Sequence, residues 1–193
     1  YYVIELSSFQ LDHMYQFRAH IAILLNITPD HLDRYDHKME LYARAKMRIT
    51  QNQQPPDYFI SWIEDDWTQR LLKEPGMGAG RRIFVSTEGS SDEAVVASSH
   101  DGKIRFALQE PVVEMPENAL ALSGKHNVQN ALAVGCAAQA LGVKPEVIRA
   151  SLETFTNVPH RLEYIASIDG VDYINVSKAT NINSTWYALE SMR

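Results

Sequence analysis

Two uninterrupted apolar runs lie near the start of the chain, Tyr1-Tyr2-Val3-Ile4 and His20-Ile21-Ala22-Ile23-Leu24-Leu25-Asn26. Short continuous runs of this kind read as strands covered on both faces, the pattern of parallel sheets. Each gives way to polar residues, Glu5 after the first and Asn26, Thr28, Asp30 and His31 after the second. Over residues 38–51 the period changes, and Met39, Tyr42, Ala43, Lys46 and Ile49 fall on one side of a helix. A strand over 57–62, a helix over 65–72 and a strand over 82–86 continue the alternation. The pattern predicts an α/β fold, a mostly parallel sheet flanked by helices, with strands at 1–6 and 20–27 delivering their polar ends to one rim.

From 94 to 108 short strands bracket Asp101-Gly102, a hairpin turn signal, and predict a β excursion on the edge of the sheet. Helices return over 126–141 and 145–155, separated by Gly142 as a C-terminal cap. A turn over 156–160, through Asn157 and Pro159, marks the expected boundary between a domain of residues 1–159 and the start of a second α/β domain at 160–193. There, strands over 162–168 and 171–176 flank Asp169-Gly170, and a helix runs from Ser184. The first methionine is Met14 and Arg193 falls inside that last helix, so both ends are expected to be cut rather than finished.

Charge narrows the partners. With 18 basic against 24 acidic residues and a net charge of -6, the chain is not expected to bind nucleic acid or an anionic membrane surface. The one cysteine, Cys136, sits among alanines and Leu132 on a predicted helix and reads as a small core residue; a lone cysteine excludes an intrachain disulfide framework. No apolar stretch approaches the roughly 20 residues of a membrane span. The expected location is the cytoplasm.

Candidate chemistry gathers in the first third. Glu5, His31 and Lys46 offer a carboxylate, an imidazole and an amine, enough for a divalent-metal phosphate site. On an otherwise apolar helix face, a partly desolvated Lys46 would lose basicity, and its neutral amine would act as a nucleophile or take up carbon dioxide to become a carbamate, itself a carboxylate able to ligate magnesium. Taken singly, each residue has a plainer reading: Glu5 as a solvated loop residue, His31 as a surface residue, Asp30 as a turn cap, Lys46 as a side chain reaching back to water. Downstream, Asn127 and Asn130 read either as helix caps or, one turn apart, as partners for the edge of adenine. Arg161 reads as a bridge across the boundary or as a planar cation for phosphate or ribose.

The stretch Glu5-Leu6-Ser7-Ser8-Phe9-Gln10-Leu11, residues 26–35 and Tyr42-Ala43-Arg44-Ala45-Lys46 together resemble the central domain of the Mur ligases, on the branch that adds D-glutamate. Gly124-Lys125-His126-Asn127-Val128-Gln129-Asn130-Ala131 resembles the family's adenine-side helix start. His160-Arg161-Leu162-Glu163 and Ser177-Lys178-Ala179-Thr180-Asn181 resemble the opening of its third domain. The resemblance runs from 1 to 193, with no motif match over about 52–118. Two departures accompany it: the family's Gly-Lys-[Ser/Thr] phosphate loop, which lies upstream of the Glu5 strand, is absent, and Val176 stands where the family usually has an aspartate expected to bind the nucleotide ribose.

The resemblance implies an ATP-dependent ligase of peptidoglycan precursor synthesis, monomeric at full length, which joins D-glutamate to UDP-N-acetylmuramoyl-L-alanine through an acyl phosphate. It implies two magnesium ions, one at Glu5 and one at His31 with carbamylated Lys46, these three residues being catalytic. Asn127, Asn130, Arg161 and Lys178 would hold the nucleotide, and Ser7, Gln10 and Thr180 the substrates. Alternatives are another Mur ligase, a folylpolyglutamate synthetase relative, or a nucleotide-binding module without catalysis; the first two share the fold, and Ser7-Ser8-Phe9-Gln10-Leu11 favours the D-glutamate branch over them.

Overall fold

The computed structural model describes residues 1–89, 95–156, 158–180 and 182–190. A six-stranded sheet runs in chain order: β1 (Ile21–Leu24), β2 (Tyr58–Trp62), β3 (Arg81–Ser86), β4 (Val95–His100), β5 (Lys103–Phe106) and β6 (Val113–Pro116). The first four strands are parallel and the last two return antiparallel, so the expected parallel sheet with a β excursion at its edge is present. Alternation within β2 shows why both faces must be covered. Phe59 packs with Ala22, Leu24, Tyr42 and Met47 on one side, while Ile60 packs with Ile83, Phe106, Leu132 and Cys136 on the other. Each fully buried large side chain contributes about 1.5–3 kcal/mol of transfer free energy.

Helices α2 (Met39–Met47) and α3 (Asp66–Leu71) cover the first face, and α4 (Lys125–Ala140) covers the second. The approach of α4 to the sheet is set by Gly135, where a Cβ would lie 2.1 Å from the Phe106 ring. Alanine is favoured over glycine inside a helix by about 1 kcal/mol, yet overpacking costs about 1–3 kcal/mol. Gly135→Ala is therefore expected to lower Tm by about 2–6 °C, read by thermal melts; a rise in Tm would show that the Phe106 ring yields freely. Cys136, next in the helix, is fully buried, which pushes its thiol up to about 12 and keeps it an inert core residue.

The turn chemistry follows the sequence. Asp101-Gly102 and Asp169-Gly170 both take left-handed conformations, with φ of 48° and 70° in the first pair and 50° and 79° in the second, the backbone that two-residue hairpins need. Gly142 ends α4, and Pro145 opens α5 (Pro145–Thr154). A separate two-stranded sheet, β7 (Glu163–Ile168) and β8 (Val171–Asn175), precedes α6 (Ile182–Glu190). Of the positions singled out in the sequence, Ala94, Asn157, Asn181 and Arg193 lie outside the described residues.

Two expectations are corrected. Residues 1–6 form no strand: Tyr1, Tyr2 and Val3 are almost fully exposed, and β1 pairs with β2 alone among the described residues. An apolar run becomes a buried strand only where a neighbour satisfies its backbone on each side, and here none does. Conversely, β6 lies beyond the β excursion expected over 94–108; it ends on Pro116, and its Val113 and Met115 alternate inward at the sheet's edge, where proline is tolerated.

Just after the exposed run, α1 (Ser8–Asp12) is a five-residue helix held at both ends. Ser7 and Gln10 close a capping box: the Gln10 backbone N–H donates to Ser7 Oγ at 3.3 Å, and the Ser7 N–H donates to Gln10 Oε1 at 2.8 Å. Arg48, just past α2, donates to the carbonyls of Leu11 at 2.8 Å and Met14 at 3.1 Å, fixing α1 against α2.

Candidate functional site

The carboxyl ends of β1 and β2 lie side by side, with Leu24 registered on Ser61. Beyond β1 the chain passes Ile27, whose N–H donates to Asp65 Oδ2 at 2.8 Å, and enters the loop bearing Asp30 and His31. His31 adopts a left-handed backbone with φ 49°, unusual for a residue with a Cβ. Its N–H donates to Asp30 Oδ1 at 3.0 Å, while its ring Nε2 stands 3.6 Å from Asp30 Oδ2. Arg34 sits 4.9 Å over the Phe9 ring, and Phe9 in turn lies 5.4 Å from His31 and 6.1 Å from Tyr35. Tyr35 continues to Tyr42 at 5.5 Å, and Tyr42 carries Lys46 Nζ 5.1 Å from its ring. A line of rings thus joins the His31 loop to the Lys46 helix.

Lys46 is half-buried, and that burial lowers its amine from the ordinary lysine range against the opposing pull of Asp30 and Asp65. Tyr42, buried beneath it, is pushed up to about 12, first by burial and then by Asp30 and Tyr35, so it is a neutral phenol across the physiological range. The local sequence explains the placement: Tyr42, Ala43, Ala45 and Met47 anchor α2 in the core, and Lys46 rides at the edge of that buried face. No group of three or more His, Cys, Asp or Glu side chains among the described residues is arranged to hold a metal ion. With Lys46 as a carbamate, however, the donor set near the loop becomes oxygen-rich, as magnesium requires.

Glu5 stands elsewhere. Without a strand to deliver it to the rim, it is exposed and lines a cavity of about 740 Å³, together with Asn127, Asn130, Arg161 and Lys178. The four candidate nucleotide ligands are therefore brought together. The rest of the lining is largely apolar, with residues such as Leu122, Val134 and Phe155, and suits a flat heterocycle. Asn127 is not the cap of α4, a place taken by Gly124; its Nδ2 donates to the Ser123 carbonyl at 2.8 Å. Asn130, one turn on, is exposed toward the cavity. Glu163 Oε2 accepts from the His160 N–H at 2.8 Å and from Asn175 Nδ2 at 3.1 Å, and the Lys178 N–H donates to the His160 carbonyl at 3.1 Å. These bonds hold Arg161 and Lys178 at the same mouth.

The candidate substrate residues do not share that cavity. Ser7 and Gln10 are engaged in the capping box, and Thr180 lines another cavity, of about 500 Å³, with Trp186 and Leu189. Val176 is half-buried and its carbonyl accepts from the Ala179 N–H at 2.8 Å. Asp65 was not among the sequence candidates. Its signal was legible as an aspartate between a strand and a helix, an N-cap signature, but its reach to Ile27 was not.

Comparison with known proteins gives a consistent picture. Residues 1–138 match the family model described as Mur ligase middle domain. Over 193 residues the chain is 57% identical to the UDP-N-acetylmuramoylalanine--D-glutamate ligase of Porphyromonas gingivalis, an alignment covering 100% of this chain and 43% of that one. It is 51% identical to the enzyme of the same name from Bacteroides fragilis, covering 100% of this chain and 42% of that relative. A crystal structure of MurF from Acinetobacter baumannii superposes with a TM-score of 0.69 at 25% identity, covering 90% of this chain and 37% of that one. The chain thus spans well under half the length of the relatives it matches.

Proposed function

Since the chain belongs to the Mur ligase family through its middle domain at residues 1–138, we propose that it is part of an ATP-dependent ligase joining D-glutamate to UDP-N-acetylmuramoyl-L-alanine in peptidoglycan precursor synthesis. The observation that carries this reading is the 57% identity to a ligase of that name across the whole chain. Because the chain spans 43% of that relative, turnover is proposed for the gene product as a whole. In this reading residues 1–159 are the central domain and 160–193 open the next, the protein is monomeric, and the reaction is cytoplasmic. No helix among the described residues is long and apolar enough to cross a membrane.

The substrate's terminal carboxylate attacks the γ-phosphorus of ATP, giving an acyl phosphate and releasing ADP. The amine of D-glutamate then adds to the acyl carbon, loses a proton and expels phosphate. Asn127 and Asn130 offer amides to adenine, while Arg161 and Lys178 meet the ribose and phosphates. Lys46, desolvated on α2, uses its neutral amine to add carbon dioxide, losing a proton and becoming a carbamate, with Asp30 of the β1 loop within electrostatic reach. Carbamylated Lys46 and His31 would hold one magnesium ion and Glu5 a second. When bound, magnesium neutralises the negative charge that two anionic reactants bring together. His31 offers nitrogen where magnesium prefers oxygen, so its second role is to orient the substrate phosphate. Ser7, Gln10 and Thr180 are assigned to the two substrates.

The test is phosphate release by the purified gene product. Release is expected only with ATP, UDP-N-acetylmuramoyl-L-alanine and D-glutamate together; equal release with D-alanyl-D-alanine or L-alanine in place of D-glutamate overturns the substrate reading. In the same assay Asn130→Ala is expected to raise the KM for ATP about tenfold, equivalent to about 1.4 kcal/mol, with the KM for D-glutamate unchanged.

A further inference from the structure

Asp65 has one more bond than a helix cap requires. Its Oδ1 accepts from the Thr68 N–H at 2.8 Å, which caps α3, and a serine would do that as well. Its Oδ2 accepts from the Ile27 N–H at 2.8 Å, across a separation of 38 residues. The pairing is level across the sheet: β1 ends at Leu24 and β2 at Trp62, with Ile27 and Asp65 each three residues beyond. Ile27 is buried, and the loop bearing Asp30 and His31 begins immediately after it. Asp65 itself is only 8% exposed, and among the described residues no salt bridge pairs it. A buried carboxylate held by two backbone N–H groups is a rigid negative charge, and Lys46 is within its electrostatic reach.

Resting on the ligase reading above, we propose that Asp65 is a positioning residue for the metal-phosphate site: it clamps the exit of β1 to the start of α3 and so fixes the Asp30–His31 loop against Lys46. The side chain acts through Ile27 and touches no reactant.

Two variants of the gene product separate the clamp from the cap. Asp65→Ser keeps a good N-cap but is too short to reach Ile27; Asp65→Asn keeps the length, but only one of its terminal atoms can accept. Mn2+ serves as the probe, its binding followed by electron paramagnetic resonance, beside Tm and steady-state kinetics. For Asp65→Ser the cap is kept but the buried Ile27 N–H loses its acceptor, which costs about 1–3 kcal/mol, so Tm is expected to fall by about 2–12 °C. Mn2+ affinity is expected to fall about tenfold, with kcat lower and the KM for ATP unchanged. Asp65→Asn is expected to weaken Mn2+ binding in the same direction. Parental Mn2+ affinity in both variants overturns the inference, as does an unchanged Tm in Asp65→Ser, which would show that the bond to Ile27 clamps nothing. A parent protein that binds no Mn2+ overturns the metal reading and this inference with it, whereas normal parental binding with unaffected variants overturns the inference alone.

Discussion

Replacing Lys46 with alanine is expected to lower kcat for D-glutamate addition by about 10³-fold, the scale on which a preorganised charge is lost from a phosphoryl- or acyl-transfer site. Fold stability should change far less, because the core of α2 is made by Tyr42, Ala43, Ala45 and Met47, with Lys46 at its margin. Lys46→Arg tells which chemical form acts. Arginine retains a cation over the Tyr42 ring but offers no neutral amine to carbon dioxide. If the carbamate is the working group, the arginine variant is as inactive as alanine, and the parent shows a carbamate carbonyl resonance by NMR after exchange with 13C-labelled bicarbonate. Should arginine retain most of the activity and no such resonance appear, Lys46 acts as a cation and the carbamate reading fails. The direction of its basicity favours the former: burial leaves the amine neutral at a lower pH than an exposed lysine.

Local signals were legible in the sequence where the physics is local. The two Asp-Gly turns, the glycine ending α4 and the proline opening α5 each act through their own φ, and each was read at its position. Parallel strands β1 and β2 were legible because a strand covered on both faces leaves no polar alternation. The same rule misread residues 1–6, whose apolar content matches that of β1; what differs is the neighbouring backbone, which a run of side chains does not encode. Non-local pairing also hid Asp65, whose second bond spans 38 residues, and Arg48, whose partners lie 37 and 34 residues away. Ser7 and Gln10 carry a further local signal, the three-residue spacing of a capping box, which the structure closes at the start of α1. Asn127, Asn130, Arg161 and Lys178 line one cavity, each beside a helix start or a tight turn that was legible in the sequence.

The largest expected stability effect is at the other end of the sheet. Asp57, fully buried just before β2, accepts from Arg18 Nε at 2.7 Å and Nη2 at 2.9 Å, and from the Gln54 N–H at 2.7 Å, with His20 Nδ1 at 3.2 Å. Its backbone carbonyl also receives the Arg81 N–H at 2.7 Å, so one residue ties the entrances of β1, β2 and β3. The Arg18 hydrogen bonds, chiefly, hold its carboxyl at about 2, overcoming the burial that would raise it. A carboxyl in the unfolded chain titrates near 3.9. The folded value is the lower one, so the contribution is complete above about pH 4 and is lost as pH falls toward about 2. Asp57→Ala removes the acceptor from several donors at once and is expected to lower Tm at pH 7 by about 6–12 °C. It should also flatten the acid limb, the parent and variant melting curves converging between pH 4 and about 2. Arg18→Ala leaves the carboxylate buried without its main partner, so its acid limb should instead move up toward pH 4. Thermal melts of the three proteins between pH 2.5 and 7 decide the matter. Parallel curves, offset equally at every pH, would show that the cluster contributes through packing rather than through the charge of Asp57.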